Sequence, residues 1–170
     1  MIDYQDHVYV SPILSFLERI GIPVQITTLT SEMSLPGILI NNGSLQIDLA
    51  QLKFPGDLLH EAGRIALAPS AVRSSLSHPI ESQLDFDVPT NSMMTIGWSY
   101  AAAIEANIPL EVLFHPEGYK GQNDSILFGF QSGQYIGLPM LQWLGMAFDA
   151  QNAAQHGVQP FPSIQKWFRP

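Results

Sequence analysis

Pro55-Gly56-Asp57-Leu58-Leu59-His60-Glu61-Ala62-Gly63-Arg64-Ile65-Ala66-Leu67 is the stretch on which the fold turns. Pro55-Gly56 is a turn dipeptide. Asp57 follows in the position of an N-cap, its carboxylate placed to accept a free backbone N–H. Leu58, Leu59, Ala62, Ile65 and Ala66 recur at helical spacing. At about 100° per residue they form one apolar arc. His60 and Arg64 fall on the opposite side and Glu61 at its flank. The stretch therefore predicts an amphipathic helix that presents a histidine, a carboxylate and a guanidinium away from its buried face.

One position separates His60-Glu61-Ala62-Gly63-Arg64 from the pattern His-Glu-x-x-His. In that pattern two histidines at i and i+4 point the same way and share a zinc ion, and the glutamate acts as general base on the zinc-bound water. A third ligand, often a glutamate from a second helix, leaves one coordination position open. Arg64 breaks the arrangement, because a guanidinium stays protonated and has no lone pair to give a metal. Three interpretations stand side by side. The segment is an ordinary amphipathic helix with a Glu–Arg pair, or a metal-site scaffold that has lost its metal, or a working site completed by other ligands.

Composition narrows the function classes. The chain has 170 residues, enough for one domain with a sizeable core. Hydrophobic residues make up 46% and charged residues only 13%, which excludes a disordered chain. Fifteen acidic against seven basic side chains give a formal charge of −8, and the cations are scattered. Nucleic acid and anionic membrane surfaces are disfavoured as partners, since phosphate neutralisation needs basic clusters. There is no cysteine, so disulfides and thiolate metal sites are excluded. The opening Met1-Ile2-Asp3-Tyr4-Gln5-Asp6 is acidic and lacks the apolar core of a signal peptide. No apolar run approaches the roughly 18 residues of a membrane span. The expected setting is the cytoplasm.

Around the central stretch, Ser11-Pro12 predicts the cap and first position of a helix ended by Gly21. Val24 to Leu29 reads as a strand. Asn42-Gly43 between Ile38-Leu39-Ile40 and Leu45-Gln46-Ile47 is a hairpin signal, so residues 24–48 are expected to form a small, mostly antiparallel sheet. Residues 69–90 read as a long loop. A second helix is expected over 91–107, capped by Thr90 or Asn91, with Gly97 and Ala101 admitting close approach to Gly63, and Met93, Met94 and Trp98 in the core. Short helices are expected from Asp124 and from Leu138-Pro139, the latter burying Met140, Leu141, Trp143, Leu144 and Met146. Residues 1–150 then form one α+β domain. Residues 151–170 read as an extended arm whose Phe161, Trp167 and Phe168 dock on the domain or on a second subunit.

The order of elements carries a resemblance. Helix, small sheet with hairpin, His-Glu helix and alanine-rich helix resembles the minimal core of gluzincin-type zinc metallopeptidases. More closely, the chain resembles an uncharacterised bacterial family that pairs a Pro-Gly-Asp-x-x-His-Glu-Ala-Gly-His segment with a later Trp-Ser-x-Ala-Ala-Ala and a Phe-His-x-x-Gly-Tyr. These read here as Pro55 to Arg64, Trp98 to Ala103 and Phe114 to Tyr119. The resemblance implies a zincin-like core, with His60 as a metal ligand if a metal is bound and Glu61 as the general base if the protein is active. It also implies an acidic third ligand near the start of the second helix, where Thr90-Asn91-Ser92-Met93-Met94 has none. With Arg64 at the second ligand, two of three ligands are missing together, as loss of the metal would leave them.

The expectation is a pseudoenzyme-like protein with no resident cofactor, zinc being the alternative. Its former cleft, lined by Asp57, Arg64, His115, Glu117 and Tyr119, would bind a peptide or protein partner, with Arg64 paired to Glu61 or Asp57. The alternatives are an active metal-dependent hydrolase built on His60 and Glu61 with other ligands, and a structural homo-oligomer. A relocated metal site would draw on His60, His78 or His115 with Glu81, Asp85, Asp87 or Glu105. His7 and His156 complete the histidines. The carboxylates of the 81–87 loop are expected to be solvated. Gly129-Phe130-Gln131-Ser132-Gly133 is not a Gly-x-Ser-x-Gly nucleophile elbow, and no phosphate-binding glycine loop is present.

Overall fold

A computed structural model describes residues 6–33 and 35–170; the acidic opening Met1–Gln5 lies outside the described residues. After a 3-10 turn over Asp6–Tyr9, helix α1 spans Val10–Ile20. The helix starts one residue before Ser11, so Tyr9 rather than Ser11 is the cap position, and it makes no side-chain cap bond. Pro12 still falls in the first turn, where a missing N–H costs nothing. Gly21 ends the helix in the left-handed region at φ 90°. Ile13, Phe16 and Leu17 are buried against the rest of the core.

Strands β1 (Val24–Ile26), β2 (Ile38–Asn41) and β3 (Ser44–Ile47) form one sheet in the order β1-β3-β2. The β2–β3 hairpin is the one Asn42-Gly43 predicts, with both residues left-handed at φ 48° and 68°. The sheet is mixed rather than mostly antiparallel. β3 inserts between β1 and β2, and so runs parallel to β1. β1 also stops at Ile26, short of the expected Leu29, whose N–H is taken by the Asp48 carboxylate at 2.9 Å instead of a strand partner. Ile38, Ile40, Leu45 and Ile47 are fully buried on one face of the sheet.

Helix α2 (Gly56–Leu67) follows, and its predicted apolar arc is buried throughout. Its cap position is Pro55; Asp57 does not cap it. The stretch expected to be loop contains a short α3 (Ser70–Arg73) and a 3-10 turn at Glu81–Gln83. Helix α4 (Val88–Glu105) starts earlier than expected, because Asp87 rather than Thr90 or Asn91 caps it, accepting from the Thr90 N–H at 2.8 Å. α2 and α4 pack closely at Gly63, where an added Cβ would stand 2.9 Å from Trp98 Cε3. Gly97 faces elsewhere, toward the Ile136 carbonyl and Gly137. Met94 and Trp98 are core as expected, while Met93 is exposed.

Four helices complete the domain: α5 (Leu110–Leu113), α6 (Asn123–Gln131), α7 (Leu138–Trp143) and α8 (Ala150–His156). Leu141 and Met146 are buried, but Trp143 is 70% exposed and rests edge-on against Phe86, contrary to its expected burial. The arm begins as α8 because Asp149 caps it, accepting from the Asn152 N–H at 2.8 Å. Among the described residues no helix is long and apolar enough to cross a membrane.

Beyond α8 the chain lies back over α2 and α4. Phe161 is buried. Trp98 Nε1–H donates to the Trp167 carbonyl at 2.9 Å, and the Arg169 N–H donates to the Ala66 carbonyl at 2.9 Å. The Arg169 guanidinium grips Asp85 with bonds of 2.8 and 2.7 Å. The aromatic arm therefore docks on its own domain. Deleting residues 160–170 is expected to cost about 3 kcal/mol, from the lost burial of Phe161 and the orphaned indole N–H. Thermal unfolding followed by circular dichroism checks this. A truncated chain as stable as the full one would show that the docked arm adds nothing.

Candidate functional site

Asp57, His60, Glu61 and Arg64 stand at i, i+3, i+4 and i+7 on α2, so all four emerge on one face. That face is not a solvated one. Asp57 is 6% exposed and Glu61 only 1%. Two segments far along the chain cover it, residues 78–81 on one side and 115–119 on the other.

The first segment is held by the sheet edge. Leu76, Ser77 and His78 run along β2: the Leu76 carbonyl accepts from Gly43, Ser77 Oγ from the Asn42 N–H, and the His78 N–H donates to the Ile40 carbonyl at 3.0 Å. The Ile40 N–H donates in return to His78 Nδ1 at 2.9 Å. In a neutral ring the proton is then on Nε2, which lies 3.2 Å from Glu61 Oε2. Arg64 approaches the other oxygen of Glu61 at 3.2 Å and reaches Glu81 at 2.7 Å. Burial pushes the Glu61 carboxyl up, but His78, Arg64 and His60 more than offset this and hold it below the usual range. Of the two partners proposed for Arg64, the structure selects Glu61.

The second segment brings His115, whose Nε2 lies 2.8 Å from Asp57 Oδ1. Asp57 lies inside the first turn of α2 rather than in its cap position, and its carboxylate pairs with His115 instead. The His115 ring stacks on Phe54, centroids 3.8 Å apart. Tyr119 follows, edge-on to His60 at 5.7 Å. At the rim Glu117 forms an exposed ion pair with Lys53 at 2.7 Å.

The loop carboxylates Glu81, Asp85 and Asp87 are exposed to solvent, as expected, and each is engaged as well. Glu81 pairs with Arg64, Asp85 with Arg169, and Asp87 caps α4. Glu105 pairs with Arg19, and His156 stacks on Phe148.

A cleft of about 760 Å³ opens over this cluster. All the residues predicted to form the site line it: Asp57, His60, Glu61, Arg64, His115, Glu117 and Tyr119. Leu35, Val88, Ile96 and Ile126 supply apolar wall. Sequence reasoning did not see that His78 supports Glu61, nor that Phe54 backs His115. No local signal announces either contact, since each depends on where the sheet edge and the 115–119 segment come to rest.

The donor set does not fit a zinc ion of the His-Glu-x-x-His kind. Arg64 offers no lone pair, and Glu61 is held by Arg64 and His78. The start of α4 lines a smaller recess of about 140 Å³ beside His60 with Asn91, Ser92 and Thr95 rather than an acid, and the carboxylate that does line it, Glu81 of the 78–81 segment, is paired with Arg64. Among the described residues no three His, Asp or Glu side chains are placed to share a metal ion. Four buried polar atoms of the cluster have no hydrogen bond of good geometry: His60 Nδ1, His115 Nδ1, the Tyr119 hydroxyl and Glu61 Oε2, the last of which has the His78 contact at 3.2 Å. Burial keeps the His60 ring below its ordinary value despite the neighbouring Glu61. Burial, reinforced by Asp57 and Glu61, pushes the Tyr119 hydroxyl far up.

Comparison with known proteins finds no matching family model, no matching curated protein and no matching solved structure.

Proposed function

We propose that this chain is a zincin-like scaffold whose zinc site is lost, and that its cleft binds a peptide or protein partner without hydrolysing it. The observation that carries this reading is Arg64. Its guanidinium stands one turn beyond His60, where a second histidine ligand would be, and is shared by Glu61 and Glu81. A fixed cation there repels a dication. Together with His78, whose contact has the larger influence, it holds the Glu61 carboxyl below its usual range, which makes that group a poor general base.

The covered sheet edge supports binding through side chains in the cleft. Ile40 of β2 gives both of its outward backbone groups to His78, so a partner cannot add there as a further strand. The second reading is an active hydrolase with a metal held by other ligands. It draws its support from the unpartnered Nδ1 atoms of His60 and His115. A cytoplasmic setting belongs to the same proposal and accords with a cysteine-free sequence.

Elemental analysis of the purified, untagged protein beside an Arg64→His variant tests it. No stoichiometric metal is expected in the native chain. About one zinc per molecule would overturn the proposal. The variant is expected to stay metal-free as well, because the acid of the third ligand is missing; tight zinc in the variant alone would show that Arg64 was the single block.

A further inference from the structure

The floor of the cleft holds an unbalanced set of groups. His60 Nδ1, His115 Nδ1 and Tyr119 Oη are buried without partners, and partnerless buried polar atoms are costly. All three can accept a hydrogen bond. In a neutral His115 the Nε2 proton goes to Asp57, whose carboxylate only accepts, so Nδ1 presents a lone pair. A tyrosine hydroxyl accepts as well as donates, and the neutral His60 accepts at Nδ1 when its proton is on Nε2.

The charge at the floor points the same way. Asp57 and Glu61 are close enough to act on Tyr119. The cation beside them, Arg64, is divided between Glu61 and Glu81. Lys53 stays at the rim with Glu117, more than half exposed, and Lys120, the third cation lining the cleft, is exposed as well. An anionic group would meet two carboxylates, whereas a neutral amide would leave their field unused. A primary ammonium brings three donors and a positive charge, and the apolar wall of Leu35, Val88, Ile96 and Ile126 suits a hydrocarbon chain attached to it.

We infer that the inner cleft is a receptor for a primary ammonium group carried on an apolar chain. His60 Nδ1, His115 Nδ1 and Tyr119 Oη are its acceptors, and Asp57 and Glu61 supply the countercharge. The inference rests on the cleft being a binding surface. The wall that yields on entry is Tyr119-Lys120-Gly121, three successive residues in the left-handed region at φ 56°, 53° and 76°. Left-handed backbone at two non-glycine residues is strained, and such strain collects at ligand clamps.

The test is a titration of the full chain, followed by NMR of its amide and histidine ring resonances, with hexylamine, hexanamide and hexanoate at equal concentration. Hexylamine is expected to saturate and to shift His60, His115 and the 119–121 amides, while the other two leave them unmoved. Asp57→Asn is expected to weaken hexylamine about tenfold, and Tyr119→Phe, which removes one hydroxyl, about fivefold. Hexanamide or hexanoate binding as well as the amine would overturn the inference, and so would an amine that shifts none of these residues. Two peptides separate the sources of the ammonium: Leu-Ala-Ala amide with a free N-terminus, and acetyl-Ala-Lys-Ala amide. Binding of either supports the inference and names the source. A lysine-free peptide blocked at both ends that binds equally well sinks the inference alone, whereas stoichiometric zinc sinks the reading of the cleft beneath it.

Discussion

Trp98→Ala is expected to destabilise the protein by about 3–5 kcal/mol, a large share of the 5–15 kcal/mol that holds a domain of this kind together. Trp98 has no exposed surface and lies where three parts of the molecule meet. Its ring fills the space that the absent side chain of Gly63 leaves on α2. It packs at 6.3 Å from Phe16 of α1 and at 5.4 Å, edge-on, from Trp167 of the arm. Its N–H satisfies the Trp167 carbonyl. Alanine would leave a cavity between α2 and α4 and would also undock the arm. Urea unfolding followed by far-UV circular dichroism measures the loss. Trp98→Phe, which keeps most of the burial and gives up the hydrogen bond, is expected to cost less than half as much. A loss under about 1 kcal/mol for Trp98→Ala would mean that the surrounding side chains collapse into the space, and that the three-way contact does not hold the domain.

Arg64→Met is expected to cost about 3 kcal/mol at pH 8 and much less at pH 5. The sign follows from Glu61. In the native chain its carboxyl is held below the usual range. It therefore contributes stability above the unfolded-state value, lost as the pH falls through the lower folded value. Without Arg64, His78 and His60 still act on Glu61, but the carboxyl of the variant titrates higher than in the native chain. The cost of the substitution is therefore fully present above the variant's value and shrinks as the pH falls through it toward the native value. His78 still faces Glu61 and Glu81 is half exposed, which keeps the cost below the upper end for buried pairs. Adding Glu61→Gln to Arg64→Met removes the stranded charge and is expected to recover about half of the loss at pH 8. A pH-independent cost would show that Arg64 acts through packing alone.

What the residues reveal unaided is what depends on near neighbours in the chain. The apolar arc of α2, the left-handed turn at Asn42-Gly43, the stop at Gly21 and the small residue at Gly63 facing a second helix are all local consequences of side-chain period and backbone freedom. The site residues on α2 were legible for the same reason, since i, i+3, i+4 and i+7 must share a face. Cap positions were read less well. Asp87 stands immediately before Val88 and caps α4, whereas α2 begins at Gly56 with Pro55 in the cap position, so Asp57 lies inside the first turn and its carboxylate goes to His115, 58 positions away.

Tertiary structure alone decided the rest. It set β3 between β1 and β2, and it folded the arm back onto Trp98. It also turned a helix face that reads as polar into a buried floor. That last change came from segments 78–81 and 115–119, placed by a sheet edge and by a stacked Phe54–His115 pair. The charge pattern of α2 shows which groups face one way. Whether water or another part of the chain faces them is settled by contacts between residues far apart in sequence. The same polar groups are solvated in one case, and buried and paired with distant parts of the chain in the other.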